Sequence, residues 1–204
     1  NPAFRISISL LFFLSGAAGL IYQVTWMRRL MEILGVTSAS VTTVLAVFMG
    51  GLALGSFLFG SISDRIKSPL ALYGGLELAI ALSGLASIFL LNRLPSIYLY
   101  FAPASEPPSI LLRMCCSAAA LLIPTTLMGG TFPVIVKGLV RKGRLIGEEA
   151  GMLYAINTLG AVLGTVAASS ILISTFGVSG TIIFAAGLNG MAGIGAYLLQ
   201  YTSK

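Results

Sequence analysis

Long apolar runs are the feature that most constrains how this chain can fold. Six runs of roughly the length of a membrane crossing follow one another, and nearly all charged residues fall between them, at about 6–22, 39–62, 70–91, 109–128, 151–176 and 178–201. A helix of this kind bonds all its backbone polar groups internally, as a bilayer requires. The sequence therefore predicts an all-α integral membrane protein, with about six transmembrane helices in one domain over residues 1–204 and no soluble domain.

Composition agrees with a bilayer environment and argues against several kinds of functional site. Hydrophobic residues make up 57% of the chain and charged residues 9%, against about half and about a quarter in soluble domains. Histidine is absent, and the two cysteines are the neighbours Cys115 and Cys116, so metal ligands at the usual spacings cannot be assembled. No acid–base pair or partnered nucleophile stands out. We therefore expect no catalytic, cofactor-binding or metal site.

The distribution of basic residues predicts the topology. If the N-terminus is cytoplasmic, that side holds eight of the 12 basic residues, namely Arg5, Arg65, Lys67, Lys137, Arg141, Lys142, Arg144 and Lys204. The other side holds Arg28, Arg29, Arg93 and Arg113. Both termini are thus expected in the cytoplasm, with the protein in a bacterial-type inner membrane. Orientation and contact with anionic lipid account for the net charge of +6, so no nucleic-acid partner is expected.

Three stretches depart from plain membrane helices. Beyond Tyr22, apolar and charged residues alternate at helical spacing as far as Leu34, which predicts an amphipathic helix at the outer interface with Trp26 at headgroup depth. Prolines from Pro95 onward predict an outer loop reaching residue 108. In the fourth run, PTTLMGGTFP at 124–133 predicts a bent or broken helix before an extension to about residue 140.

Small and polar residues inside the runs are the candidates for helix contact or function. The stretch 148–164 carries Asn157 one turn before Gly160 and Gly164 on the same face, which predicts a hydrogen bond and close packing with a neighbouring helix. Glu77 in the third run is either a proton- or substrate-linked acid or a structural hydrogen-bonding group, and we favour the structural interpretation. A transporter interpretation would join Gln23, Asn157 and Asn189 to Glu77.

The turn after the second run contains Asp64 and Arg65. It resembles the loop between helices two and three of major facilitator transporters, in which Gly, Asp and Arg recur. A plain basic cytoplasmic turn explains the same residues.

Several segments together resemble a known family. They are FLSGAAGLIYQVTWMRRL at 13–30, LALGSFLFG at 52–60 with Asp64 and Arg65, PTTLMGGTFP at 124–133 and GMLYAINTLGAVLG at 151–164. In this order they resemble the membrane domain of fused spermidine synthase-like proteins, in which a major-facilitator-like region is joined to a spermidine synthase domain. The resemblance implies a cytoplasmic Rossmann-like domain that would bind decarboxylated S-adenosylmethionine and a polyamine. These 204 residues contain no strand–helix alternation of that kind.

Three functions are consistent with these observations. The first is a noncatalytic membrane module, acting as an anchor for a cytoplasmic domain outside this chain or as a structural subunit packed against other membrane subunits or copies of itself. The second is a small-molecule transporter or half-transporter, with polyamines as one substrate class. The third is the membrane part of an aminopropyltransferase whose catalytic residues lie outside this chain.

Overall fold

The computed structural model describes residues 2–101, 110–139 and 146–202. They form α1 (Pro2–Leu34), α2 (Ser38–Ser63), α3 (Pro69–Phe101), α4 (Ile110–Leu139), α5 (Ile146–Ala167) and α6 (Ile173–Thr202). A π-helical turn, Ala168–Leu172, joins α5 to α6. These ranges contain no strand, which confirms the all-α prediction.

The helices suit a bilayer. Within the described ranges, five segments are long and apolar enough to cross a membrane: Ala3–Leu34, Ser38–Ser63, Pro69–Phe101, Ile110–Gly138 and Gly147–Tyr201. Large apolar side chains such as Phe57, Leu99 and Leu111 lie on the outside of the bundle and are 70–75% exposed. An apolar outer surface of this kind is typical of an integral membrane protein.

The last of these segments combines α5, the π-helical turn and α6. Its 55 residues would extend about 80 Å if straight, at 1.5 Å per residue, which far exceeds a hydrocarbon core of about 30 Å. The segment is not straight, because Gly177 has φ 67° and ψ −177°. Glycine adopts this positive-φ conformation with little steric strain, and the conformation interrupts the helix.

Two helices, α1 and α5, run parallel to each other, and so do α2 and α4. Along α1 and α5, Arg5 pairs with Glu149 and Phe12 O accepts a hydrogen bond from Asn157. Along α2 and α4, Thr37 bonds to Arg113 at one end, and Asp64 bonds to Lys137 at the other. In each pair the residue numbers rise together.

Helix α3 lies between these pairs and packs against α4, α6 and α1. It runs parallel to α1, because Tyr73 bonds to Leu11 and Ser87 bonds to Trp26. It runs antiparallel to α6, where Glu77 meets Asn189 and Gly74 meets Gly193. Helix α6 therefore also runs antiparallel to α1.

The prediction of a separate interfacial helix after Tyr22 is wrong. Helix α1 continues unbroken to Leu34, and Trp26 is fully buried rather than at a headgroup surface. Its Nε1 donates a 2.9 Å hydrogen bond to Ser87 Oγ on α3, and its ring stacks on Tyr22 with 4.8 Å between centroids. The amphipathic pattern correctly predicted a buried face, but that face packs against other helices of the protein and not against lipid.

The prediction of a broken fourth helix is also wrong. Helix α4 runs from Ile110 to Leu139 with both Pro124 and Pro133 inside it. The Thr125 hydroxyl donates to Leu121 O at 2.7 Å, and the Thr131 hydroxyl donates to Met128 O at 2.8 Å. Hydroxyls and a neighbouring helix let a membrane helix accommodate proline, and α2 packs along this stretch.

Part of the predicted outer loop is helical as well. Helix α3 continues through Pro95 to Phe101, beyond the predicted end at residue 91. Residues 102–109 lie outside the described ranges, as do the basic residues at 141–144 and Lys204.

Candidate functional site

A buried pair of polar side chains joins α3 to α6. Asn189 Nδ2 donates a 2.5 Å hydrogen bond to Glu77 Oε2. Glu77 is 0% exposed and Asn189 1%. The pair brings together two of the four residues that the transporter interpretation grouped.

The surroundings of Glu77 are polar on the α1 side. Ser15 and Tyr73 both neighbour its carboxylate, and the Tyr73 hydroxyl also donates to Leu11 O at 3.4 Å. Glu77 Oε1 and Asn189 Oδ1 are nevertheless buried without a hydrogen-bond partner among the described residues. Each of the two side chains thus has one oxygen that accepts no hydrogen bond, which is costly in a low-dielectric interior.

Glycines set the distance between α3 and α6 next to this pair. A Cβ on Gly74 would lie 3.0 Å from Gly193 O, and a Cβ on Gly193 would lie 2.9 Å from Gly74 O. Larger side chains would separate the backbones and lengthen the Glu77–Asn189 bond. The two glycines therefore position the polar pair.

Asn157 serves a different interface. Its Nδ2 donates a 2.9 Å hydrogen bond to Phe12 O on α1, which is the interhelical bond that the sequence predicts. A Cβ on Gly16 would collide with the Asn157 backbone, so this position of α1 brings the two helices close. Asn157 lies against α1 and is separate from the Glu77–Asn189 bond.

Gly160 and Gly164 continue that interface. A Cβ on Gly160 would collide with Phe13 O, and a Cβ on Gly164 with Ala17 O. Both glycines are buried, while Leu159 next to them is 55% exposed. Gly160 and Gly164 thus face α1, whereas Leu159 faces outward.

Gln23 is not brought to Glu77. It is half-buried on α1, eight residues beyond the Ser15 that neighbours Glu77, which is about 12 Å along a helix at 1.5 Å per residue. The four polar side chains of the transporter interpretation therefore do not form one site. Glu77 and Asn189 lie between α3 and α6, Asn157 lies between α5 and α1, and Gln23 lies elsewhere on α1.

Asp64 and Arg65 lie in the turn between α2 and α3, and both are exposed. Lys137 Nζ donates a 2.6 Å hydrogen bond to Asp64 Oδ1. This hydrogen bond and the charge of Lys137 hold the pKa of the Asp64 carboxyl below its ordinary value of 3.8. The contact fixes the end of α2 to the end of α4.

An open groove of about 580 Å³ lies between α1 and α5. Its lining is mostly apolar, including Phe13, Met152 and Ile156, with the Arg5–Glu149 pair at its polar end. Neither Glu77 nor Asn189 lines it. The groove and the buried polar pair are separate features.

Arg113 is a polar residue whose importance the sequence reasoning missed. It is buried near the start of α4 and bonds to Thr37 and Ser40 at the start of α2. The count of basic residues places Arg113 only among the outer charges, although its position inside the fourth apolar run indicates a buried polar role. Tyr73 was missed as well, although it lies four residues before Glu77 on α3 and residues at this spacing are neighbours on a helix.

Comparison with known proteins adds no relative, because no family model, curated protein or solved structure matches the chain significantly.

Proposed function

We propose that the chain is a noncatalytic polytopic membrane module, serving as an anchor or as a structural subunit of a larger membrane complex. The observation that carries this proposal is the use of the intramembrane amides. Asn157 and Asn189 both donate to neighbouring helices of the same bundle, at 2.9 and 2.5 Å. Polar groups used in this way hold helices together.

We further propose six membrane crossings, with α5 and α6 each crossing once. The bend at Gly177 supports this, since it divides a segment too long for one crossing. The packing directions also support it, because α1, α3 and α5 run one way while α2, α4 and α6 run the other. The basic residues favour a cytoplasmic location for both termini, in an inner membrane.

The resemblance to the membrane domain of spermidine synthase-like fusions supports an anchoring role. In such a protein the membrane module would hold a catalytic domain at the cytoplasmic face. Under that proposal, residues outside this chain perform the aminopropyl transfer, and these 204 residues hold the catalytic domain at the membrane.

Mass measurement tests the module proposal. The protein would be tagged in its native genomic context, extracted from its own membranes in mild detergent and analysed by native mass spectrometry. We expect a particle of fixed stoichiometry that contains further subunits, further copies or a longer parent chain. A free monomer close to 21.2 kDa would contradict the proposal.

A transporter is the second candidate, and one observation favours it. Glu77 Oε1 and Asn189 Oδ1 are both buried and unpartnered among the described residues. In the centre of a membrane bundle, such groups are a default site for a proton or a polar substrate.

Proton flux separates the two candidates. Purified protein would be reconstituted in liposomes containing a pH-sensitive dye, and flux would be driven by an imposed membrane potential. The module proposal predicts the same flux for wild type, Glu77→Gln and empty liposomes. Flux that is lost in Glu77→Gln but kept in Glu148→Gln, which changes an exposed acid, would favour the transporter.

A further inference from the structure

Arg113 occupies an unusual position for a cation. Its Nη1 donates to Thr37 Oγ1 at 2.8 Å and to Ser40 Oγ at 3.0 Å. The residue is only 8% exposed, and a guanidinium remains charged in proteins. The α2–α4 interface therefore contains a buried positive charge at the end of the bundle that carries the α1–α2 turn.

No described carboxylate neutralises this charge. The ion pairs of residues 2–101, 110–139 and 146–202 involve Arg5, Arg28, Arg29 and Lys137 as cations. The partners of Arg113 in these ranges are neutral hydroxyls, and its Nε is buried with no hydrogen-bond partner. A buried charge without a counterion is strongly unfavourable.

A second unpartnered group lies on the same face of α4. Ser117 is 0% exposed, and its Oγ has no hydrogen-bond partner among the described residues. Residues four apart on a helix are neighbours, so Ser117 lies one turn beyond Arg113. The guanidinium and the hydroxyl together supply unused donors to one region of the interface.

The start of α2 adds positive potential at this place. Thr37 caps α2 by accepting a hydrogen bond from Ser40 N at 3.2 Å, and α2 is 26 residues long. The N-terminus of a helix carries partial positive charge and favours anions. Arg113 therefore adds a full positive charge where the helix already favours a negative one.

We propose that Arg113, Ser117 and the N-terminus of α2 bind a phosphate oxyanion, supplied either by the headgroup of an anionic lipid or as free phosphate. Arginine binds phosphate through charge-assisted hydrogen bonds. A phosphate here would accept from Arg113 Nε and from the Ser117 hydroxyl, and it would neutralise the guanidinium. This site is separate from the Glu77–Asn189 pair and does not depend on the proposed function.

Thermal unfolding of the full chain tests the site. In neutral detergent, phosphate would be titrated against chloride at constant ionic strength; in parallel, phosphatidylglycerol would be titrated into phosphatidylcholine nanodiscs. Wild type should show a saturable rise in Tm in at least one arm. Saturation by inorganic phosphate identifies free phosphate as sufficient, whereas saturation by phosphatidylglycerol alone identifies the lipid headgroup.

Three variants make the test specific. Arg113→Lys keeps the charge needed for folding but loses the guanidinium geometry, so the midpoint should rise roughly tenfold. Ser117→Ala removes one donor and should raise it about fivefold. Arg93→Gln removes an exposed arginine on α3 and should leave the midpoint unchanged.

Two results would overturn the proposal. One is equal behaviour of wild type, Arg113→Lys and Ser117→Ala in both arms. The other is binding that occurs only in Glu106→Gln, because Glu106, which lies outside the described ranges, would then be the counterion of Arg113.

Discussion

Asn189 on α6 and Glu77 on α3 are 112 residues apart in the chain and form a 2.5 Å hydrogen bond in the buried interior. Gly74 and Gly193 let the two backbones approach next to that bond. The pair is thus built by two helices that each contribute one polar and one small residue. This relationship predicts energetic coupling between the two side chains.

Replacing either partner should destabilise the bundle, and replacing both should cost less than the sum. Glu77→Leu leaves the Asn189 donor unpaired, which costs about 1–3 kcal/mol. The double variant with Asn189→Leu should recover about 0.5–2 kcal/mol relative to additivity. The free energy of unfolding in mixed detergent and SDS micelles measures this. Leu159→Ala, on the exposed face of α5, should combine additively with Glu77→Leu; additivity in both cycles would contradict the coupling.

The α1–α5 interface should be sensitive to size at Gly160. Gly160→Leu would push a side chain into Phe13 O and should cost at least about 1–3 kcal/mol. Leu159→Ala changes an exposed neighbour and should cost within about 0.5 kcal/mol. Unfolding in detergent compares the two. Equal loss of stability would mean that Gly160 does not face α1.

The α2–α4 interface offers a matched glycine pair. A Cβ on Gly55 would collide with Thr126 O, whereas a Cβ on Gly50 would meet nothing within 4 Å. Gly55→Ala should therefore lower Tm, and Gly50→Ala should leave it unchanged or raise it, because alanine favours helix by about 0.5–1 kcal/mol. A larger loss at Gly50 would contradict the packing described for α2.

Stability should fall in acid through the contact between Asp64 and Lys137. The pKa of Asp64 is lower in the folded chain than its ordinary value, so the contact contributes fully above that value, and its contribution is lost as pH falls through the lowered pKa. Tm measured between about pH 5 and 2 should decline less in Asp64→Asn than in wild type. An unchanged pH profile in Asp64→Asn would show that the contact contributes nothing. Glu148→Gln provides the control for loss of an acid at the same end of the bundle.

Local sequence patterns predicted the features that depend on one helix at a time. Apolar runs located the helices, and the spacing of Asn157, Gly160 and Gly164 identified the face of α5 that meets α1. These features follow from helical periodicity and from the requirement that backbone groups be bonded in lipid. They need no knowledge of the neighbouring helix.

The features that failed depend on the neighbour. Trp26 looked interfacial because an amphipathic pattern does not say whether its apolar face meets lipid or protein. Pro124 and Pro133 looked like breaks because the packing of α2 along this stretch of α4 could not be foreseen from local preference. The hydrogen bonds from Asn189 to Glu77 and from Arg113 to Thr37 and Ser40 were equally hidden, since each joins two different helices.

Side-specific labelling tests the six-crossing module most directly. Single cysteines would replace Val36, Ile66, Gly147 and Ser179 in a background without the native cysteines, and intact cells would be treated with a membrane-impermeant maleimide. The account predicts that positions 36 and 179 react from outside, whereas positions 66 and 147 react only after permeabilisation. Reaction of positions 66 and 179 from the same side would contradict a crossing by each of α5 and α6.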